Sequence, residues 1–195
     1  NHKYHHGNLR DEILIAAYNF VLENGYAAMS LRSIAENCNV SATAIYRHYK
    51  TKEHLLADVV VKGFIEFNLF VEGDSEANIF DKCDNYLEFA FDNKNIYDLL
   101  FSQSVVEFLQ FPNILEVADS SFQTLLESVK EHDRSLNDLS ASNKAIHIWS
   151  FLHGISSISK KMDVALSLPD SEMPIPVRSV KRARSNLRQF IEDLF

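Results

Sequence analysis

The stretch "LRSIAENCNVSATAIYRHYKTKEHLL", Leu31–Leu56, decides how this chain reads. Just before it stands Ser30, whose hydroxyl can accept from the free amides of a first helical turn. Leu31, Ile34 and Ala35 then recur on one helical face, until Asn37-Cys38-Asn39 breaks the pattern. Val40 is apolar, and Ser41 can cap a second short helix that turns Ile45 and Tyr49 inward. Two short helices around a turn of about three residues make a helix-turn-helix. Such a turn needs a residue that tolerates positive φ, and Asn39 suits it better than any residue but glycine. Small Ala35 lets the two helices approach, with Ile34, Val40 and Ile45 as the core between them. The second helix exposes Ala42, Thr43, Ala44, Tyr46, Arg47 and His48. Small residues at its start let the backbone sit deep in a major groove. Thr43 can bond a base edge, its methyl or that of Ala44 can touch thymine, and Arg47 can read guanine. Tyr46, His48 and Lys52 suit phosphates. Spacing alone leaves open an ordinary pair of helices on the surface of a helical domain.

Working outward, every neighbouring segment is also helical. Upstream, Leu9, Ile13, Ala16 and Phe20 share one face, and Gly25 is the expected stop. Downstream, Thr51 caps a long helix carrying Leu55, Leu56, Val59, Val60, Gly63 and Phe67. Further helices are expected over Glu76–Asp92, Ile96–Leu109, Ile114–Glu131, Ala141–Met162 and Val177–Leu194, with a loop over Val164–Pro176. Pro112, Pro169, Pro174 and Pro176 all fall between helices, where proline belongs. With 5 Gly and 4 Pro in 195 residues, the composition favours an all-α chain.

Charge and cysteine usage narrow the function classes. Residues 1–63 carry 7 Lys+Arg and 6 Asp+Glu, a net +1, while residues 64–195 carry 12 and 21, a net −9; together they give the −8 of the whole chain. An acidic total disfavours non-specific coating of nucleic acid or anionic membrane, but a few placed groups can still form a binding face. No apolar run approaches the ~18 residues of a membrane span. The polar, His-rich start lacks a signal-peptide core. Cys38 and Cys83 stand far apart, which argues against a disulfide scaffold or a Cys-based zinc site and fits a reducing cytoplasm.

The C-terminal two thirds form a Phe-rich body. The segment Ala141–Met162 is apolar nearly all round, through Ile146, Ile148, Trp149, Phe151, Leu152, Ile155 and Ile158, so burial on several sides is expected. Val177, Val180, Ala183, Leu187, Phe190, Ile191 and Leu194 make a single stripe on the last helix, opposite Arg178, Lys181, Arg182 and Arg188. His147 and His153 stand six residues apart, off a common face, and no metal-binding pair occurs. Phe67, Phe101, Phe122, Trp149 and His153 are candidates to line an apolar ligand cavity, although plain core packing is the stronger reading of each ring taken singly and a hydrogen-bonded core histidine that of His153. No nucleophile, acid–base set or Gly-rich phosphate loop is placed for catalysis, so neither an enzyme nor a cofactor is expected.

The Leu31–Leu56 stretch resembles the DNA-binding signature of TetR-family transcriptional regulators. "YHHGNLRDEIL", Tyr4–Leu14, resembles the first helix of one branch of that family, and "IWSFLHG", Ile148–Gly154, resembles the Trp…His-Gly element of its C-terminal domain. The family commonly has Gly at Asn39 and Phe at Tyr49; Asn keeps the turn and Tyr keeps the ring.

The resemblance implies an all-α protein. An N-terminal three-helix helix-turn-helix domain (residues 1–54, motif about 30–49) precedes a larger helical domain for ligand binding and dimerisation (residues 55–195). Carried over by position, the DNA-binding residues are Ser30, Arg32, Ser41, Ala42, Thr43, Ala44, Tyr46, Arg47, His48 and Lys52. Phe151, Ile155, Ile158, Val180, Leu187, Phe190 and Ile191 fall on the two helices that the family uses to dimerise. The implied protein is a bacterial, cytoplasmic, nucleoid-associated homodimer. It would bind a palindromic double-stranded operator, most readily as a repressor, and be released by a small-molecule inducer. The competing class is a helical ligand-binding or interaction protein whose head does not touch DNA.

Overall fold

The computed structural model describes residues 9–101 and 111–194. Eleven helices occur among them: α1 Leu9–Asn24, α2 Leu31–Asn37, α3 Ala42–His48, α4 Lys52–Glu72, α5 Ile79–Asp92, α6 Lys94–Phe101, α7 Pro112–His132, α8 Asp138–Lys161, α9 Asp163–Leu166, α10 Ile175–Ser185 and α11 Leu187–Glu192. A single 3-10 turn, Tyr26–Ala28, follows α1. No strand occurs among the described residues, and none of their helices is long and apolar enough to cross a membrane.

Caps explain most of the boundaries. Gly25 (φ 78°) stops α1, its amide bonding the carbonyl of Val21 at 2.8 Å. The backbone there lies in the left-handed region, which costs a residue with a Cβ but not glycine. The α5 helix starts three residues later than the apolar pattern suggests. Asn78 is the reason, because its side-chain oxygen accepts from the amides of Phe80 (2.8 Å) and Asp81 (3.3 Å). Asn137 caps α8 in the same way through the amide of Ser140 at 2.9 Å, which extends that helix upstream of Ala141. The expected loop after α8 contains the short α9, and the expected last helix is two, broken at Asn186 (φ −125°, ψ 37°). Of the helix expected over Ile96–Leu109, the part from residue 102 lies outside the described residues; the observed α6 covers Lys94–Phe101.

The chain forms two compact units. The first holds residues 1–66 and 93–119, the second residues 67–92 and 120–195. In the first unit α1 packs on α2 and α6, and α2 packs on α3. Its core contains Ile13, Ala17, Val21, Ile34, Ile45, Leu55, Val59, Ile96 and Leu99. In the second unit α8 packs on α5 and α10, while α11 lies on α5. There Phe67 meets Tyr86 and Phe89 edge-on, at 5.3 and 5.2 Å between ring centres. Each unit carries one free cysteine. Cys38 ends α2, half-buried, and burial pushes its thiol up. Cys83 is 1% exposed, and burial raises its thiol to about 12.

Candidate nucleic-acid interface

The helix-turn-helix is built by local chemistry. Ser30 (φ −139°, ψ 156°) forms a capping box with Ser33: the Ser33 amide donates to Ser30 Oγ, and the Ser30 amide to Ser33 Oγ, both at 3.0 Å. The box satisfies amides that the first helical turn leaves free. The α2 helix then ends in a left-handed residue, Asn39 (φ 53°). The Asn39 amide bonds the carbonyl of Glu36 and the Val40 amide that of Ala35, each at 3.0 Å. This paired closure is a Schellman motif, and the left-handed position is tolerable to Asn because its short polar side chain bonds locally. Ser41 starts α3, accepting from the amide of Ala44 at 3.2 Å. Replacing such a cap by Ala typically costs ~1 kcal/mol.

Within α3 only Ile45 is buried. Ser41, Ala42, Thr43, Tyr46, Arg47 and His48 are exposed, and Ala44 is half-buried. Thr43, Tyr46, Arg47 and His48 have no side-chain hydrogen bond or ion pair among the described residues. Polar side chains left without internal partners on one short helix are free to bind something outside. The remaining expected contacts differ. Arg32 is exposed but engaged, its Nε 3.1 Å from Glu36 Oε1. Lys52, half-buried, lies 3.4 Å from the carbonyl of Ala27 at the 3-10 turn. Ser30 is exposed, with its hydroxyl inside the capping box.

Reasoning from sequence missed two features here. Lys50, between α3 and α4, is exposed and has no partner among the described residues. Its neighbours in sequence carried no separate signal. The second feature is a three-residue clasp. Asp58 Oδ2 on α4 accepts from the Tyr49 hydroxyl (2.8 Å) and pairs with Arg10 Nη2 of α1 (2.9 Å). The Arg10 guanidinium also lies over the Tyr49 ring, 5.5 Å from its centre, with Nε 3.5 Å from the hydroxyl. Hydrogen bonds to Tyr49 and Asp58 raise Arg10 above its ordinary value. Burial, against the opposing pull of Arg10, raises the Tyr49 phenol to about 12, so it stays protonated and donates. Arg10 and Asp58 are 48 positions apart, and no local pattern announces such a pair.

The expected ligand and dimer residues are dispersed. Phe101 belongs to the first unit, tilted against Tyr97 at 4.7 Å; Phe67, Phe122, Trp149 and His153 belong to the second. Trp149 and His153 stack at 5.7 Å with 21° between their planes, and burial lowers the imidazole from its ordinary value. Among the dimer candidates, Val180, Leu187, Ile191 and Ile155 are buried inside the single chain. Within the single chain the stripe on α10 and α11 packs against α5 and α8, so these four side chains leave little surface exposed. Accessible area comes from Ile158 (42%), Phe190 (37%) and half-buried Phe151, which stacks on Phe190 at 5.6 Å.

Comparison with known proteins fits this geometry. Residues 13–59 match the model of bacterial regulatory proteins of the tetR family, and residues 79–172 match a tetracycline repressor-like C-terminal domain. No protein of curated function matches the chain significantly. Solved structures share the fold at low identity. A transcriptional regulator from Aquifex aeolicus aligns with TM-score 0.60 at 21% identity, over 95% of this chain and 99% of its own. FadR from Bacillus subtilis, in complex with stearoyl-CoA, aligns with TM-score 0.62 at 20% identity, over 90% and 97%. BioQ, bound to its double-stranded DNA operator, aligns with TM-score 0.57 at 12% identity, over 90% and 97%. Regulators of this kind bind DNA and are not enzymes. The chain belongs to the TetR family of bacterial regulatory proteins, and the helix-turn-helix of α2 and α3 lies within the residues that the family model matches.

Proposed function

We propose that the protein is a homodimeric repressor that binds a palindromic operator and is released by a small-molecule inducer, working in the bacterial cytoplasm on nucleoid DNA. The observation that carries this reading is α3: a capped helix whose Thr43, Tyr46, Arg47 and His48 are exposed and unpartnered among the described residues. Residues 1–54 serve as the DNA head and residues 55–195 as the body for ligand and partner. That boundary cuts α4, so the helix is common to both functions. Two heads in a symmetric dimer would set their recognition helices on half-sites ~34–36 Å apart.

Support for self-association comes from α8. A Cβ built at Gly154 meets no atom of the described residues within 4 Å, while Ile146 and Ile158 on the same helix remain exposed. Such a face accepts the close approach of a second helix. Phe151 and Phe190 extend it with a stacked pair. The body's aromatic interior supports an apolar inducer. Inducer binding would have to favour a dimer in which the heads do not fit the operator, because only differential affinity shifts an equilibrium. The FadR and BioQ structures support a family in which this fold holds acyl-CoA and operator DNA respectively.

Selecting duplexes from random DNA tests the reading. A single pseudo-palindromic sequence should emerge, and its affinity should fall steeply with salt. Lys52→Ala should weaken all duplexes about equally and reduce the salt slope by about 1. Failure to enrich any sequence, with retention on DNA unaffected by salt, would return the chain to the class of helical ligand-binding proteins.

A further inference from the structure

The clasp of Arg10, Tyr49 and Asp58 sits at the end of the recognition helix. We propose that these three are positioning residues for DNA reading: the shared Asp58 carboxylate ties the C-terminal end of α3 to α1 and α4, and so sets the angle at which α3 enters the groove. This inference rests on the DNA-binding reading above.

The geometry carries it. The α3 helix has seven residues, too few to hold a direction by itself. One buried side chain, Ile45, seats its middle, and Ser41 and the turn at Asn39 fix its start. Its end is fixed by Tyr49, the C-cap, whose amide bonds the carbonyl of Ile45 at 2.9 Å and whose ring is 2% exposed. The ring alone could slide in an apolar seat. The hydroxyl cannot, because Asp58 Oδ2 accepts it at 2.8 Å while also holding Arg10 at 2.9 Å. One oxygen thus links three helices of the first unit.

Small tilts matter at this scale. Six residues separate Tyr49 from Thr43, a rise of ~9 Å. A tilt of ~10° over that length displaces Thr43 by ~1.6 Å, more than the few tenths of an ångström that a hydrogen bond to a base edge tolerates. Long side chains reaching phosphates can follow such a shift; base contacts cannot. Charge reinforces the point. An unpaired carboxylate near the DNA face would repel phosphate, and Arg10 neutralises it in place. Loss of the clasp should therefore reduce specificity more than general affinity.

Tyr49→Phe is the sharpest variant, because it removes one oxygen and keeps the ring. Amide hydrogen exchange on the free protein should show α3 exchanging about tenfold faster in Tyr49→Phe and Asp58→Ala, the scale of one lost hydrogen bond, with α8 unchanged. The DNA probes are the duplex enriched by the wild-type protein and a shuffled duplex of the same length and composition. Tyr49→Phe should bind the first about tenfold more weakly and the second within about twofold. Asp58→Asn, which keeps an acceptor for the phenol, should recover part of the specificity that Asp58→Ala loses. Unchanged exchange in α3 overturns the clasp. Equal losses on both duplexes overturn its role in reading and leave a general contribution to stability. Enrichment of no duplex by the wild-type protein overturns the DNA-binding reading and the positioning role with it, while the exchange result still decides whether the clasp holds α3.

Discussion

The α3 helix and the α10–α11 segment both present basic residues on one side and an apolar contact on the other, yet they use them in opposite ways. Along α10 and α11 the cations are engaged within the chain. Lys181 pairs with Asp170 at 2.7 Å, Arg178 donates to the carbonyl of Met173 at 3.0 Å, and Arg184 lies 3.8 Å from the centre of the Phe91 ring. Arg188 pairs with Glu192 at 3.0 Å and covers Phe80. Arg182 is the exception, with no side-chain partner among the described residues. On α3, by contrast, Arg47 and His48 have none, and burial is limited to Ile45. A basic run is thus no guide to a binding face by itself. What separates the two is whether the protein answers its own charges.

The sharpest way to break this contrast is to charge the stripe of α11. Leu187 is 4% exposed, so Leu187→Glu should abolish the cooperative thermal transition seen by circular dichroism, since an unpaired buried charge costs more than about 4 kcal/mol. Phe190→Glu, three residues on and 37% exposed, should keep that transition and shift the protein towards monomers in light scattering. A folded Leu187→Glu protein would mean that the stripe is not core.

On α3 the expected effects move from stability to recognition. Arg47→Ala should flatten the preference at one operator position by roughly 1–3 kcal/mol and leave the melting temperature unchanged. A binding series over single-base variants at two salt concentrations checks this; a uniform loss would make Arg47 a phosphate anchor. Ser41→Ala should lower unfolding free energy in urea by ~1 kcal/mol through loss of the cap. The smallest effect belongs to Arg182→Ala, which should stay within about 0.5 kcal/mol in stability and leave operator affinity unaltered. A measurable loss of DNA binding there would give the α10 cations a role like that of α3.

Legibility from sequence tracks the range of the forces involved. The helix-turn-helix was readable because its determinants are local: the Ser30 and Ser41 caps, the left-handed Asn39 and the inward Ile34 and Ile45 all act within four residues. The stop at Gly25 belongs to the same class. Side-chain caps that compete with apolar periodicity were harder, so Asn78 and Asn137 moved the starts of α5 and α8. Periodicity also hides a break where the stripe resumes in register, as at Asn186 between Ala183 and Leu187. Least legible was which apolar face is core and which is surface. Val180 and Phe190 lie in one stripe, but packing on α5 and α8 buries the first and leaves the second partly open. The Arg10–Asp58 pair spans 48 positions and depends wholly on the fold.

The two cysteines have a further use that follows from their placement. Each compact unit holds one, Cys38 in the first and Cys83 in the second. An alkylating reagent reacts with thiolate, so a thiol sealed in a core and raised to about 12 is inert until its surroundings open. Cys83 is therefore a clock for the opening of the second unit, and half-buried Cys38 a faster one for the turn between α2 and α3. Mass spectrometry of a timed labelling reaction would count molecules with none, one or both alkylated. Doubly labelled chains appearing at once would mark joint unfolding, and a long-lived singly labelled species would mark opening of the turn at Cys38 while the second unit stays closed around Cys83.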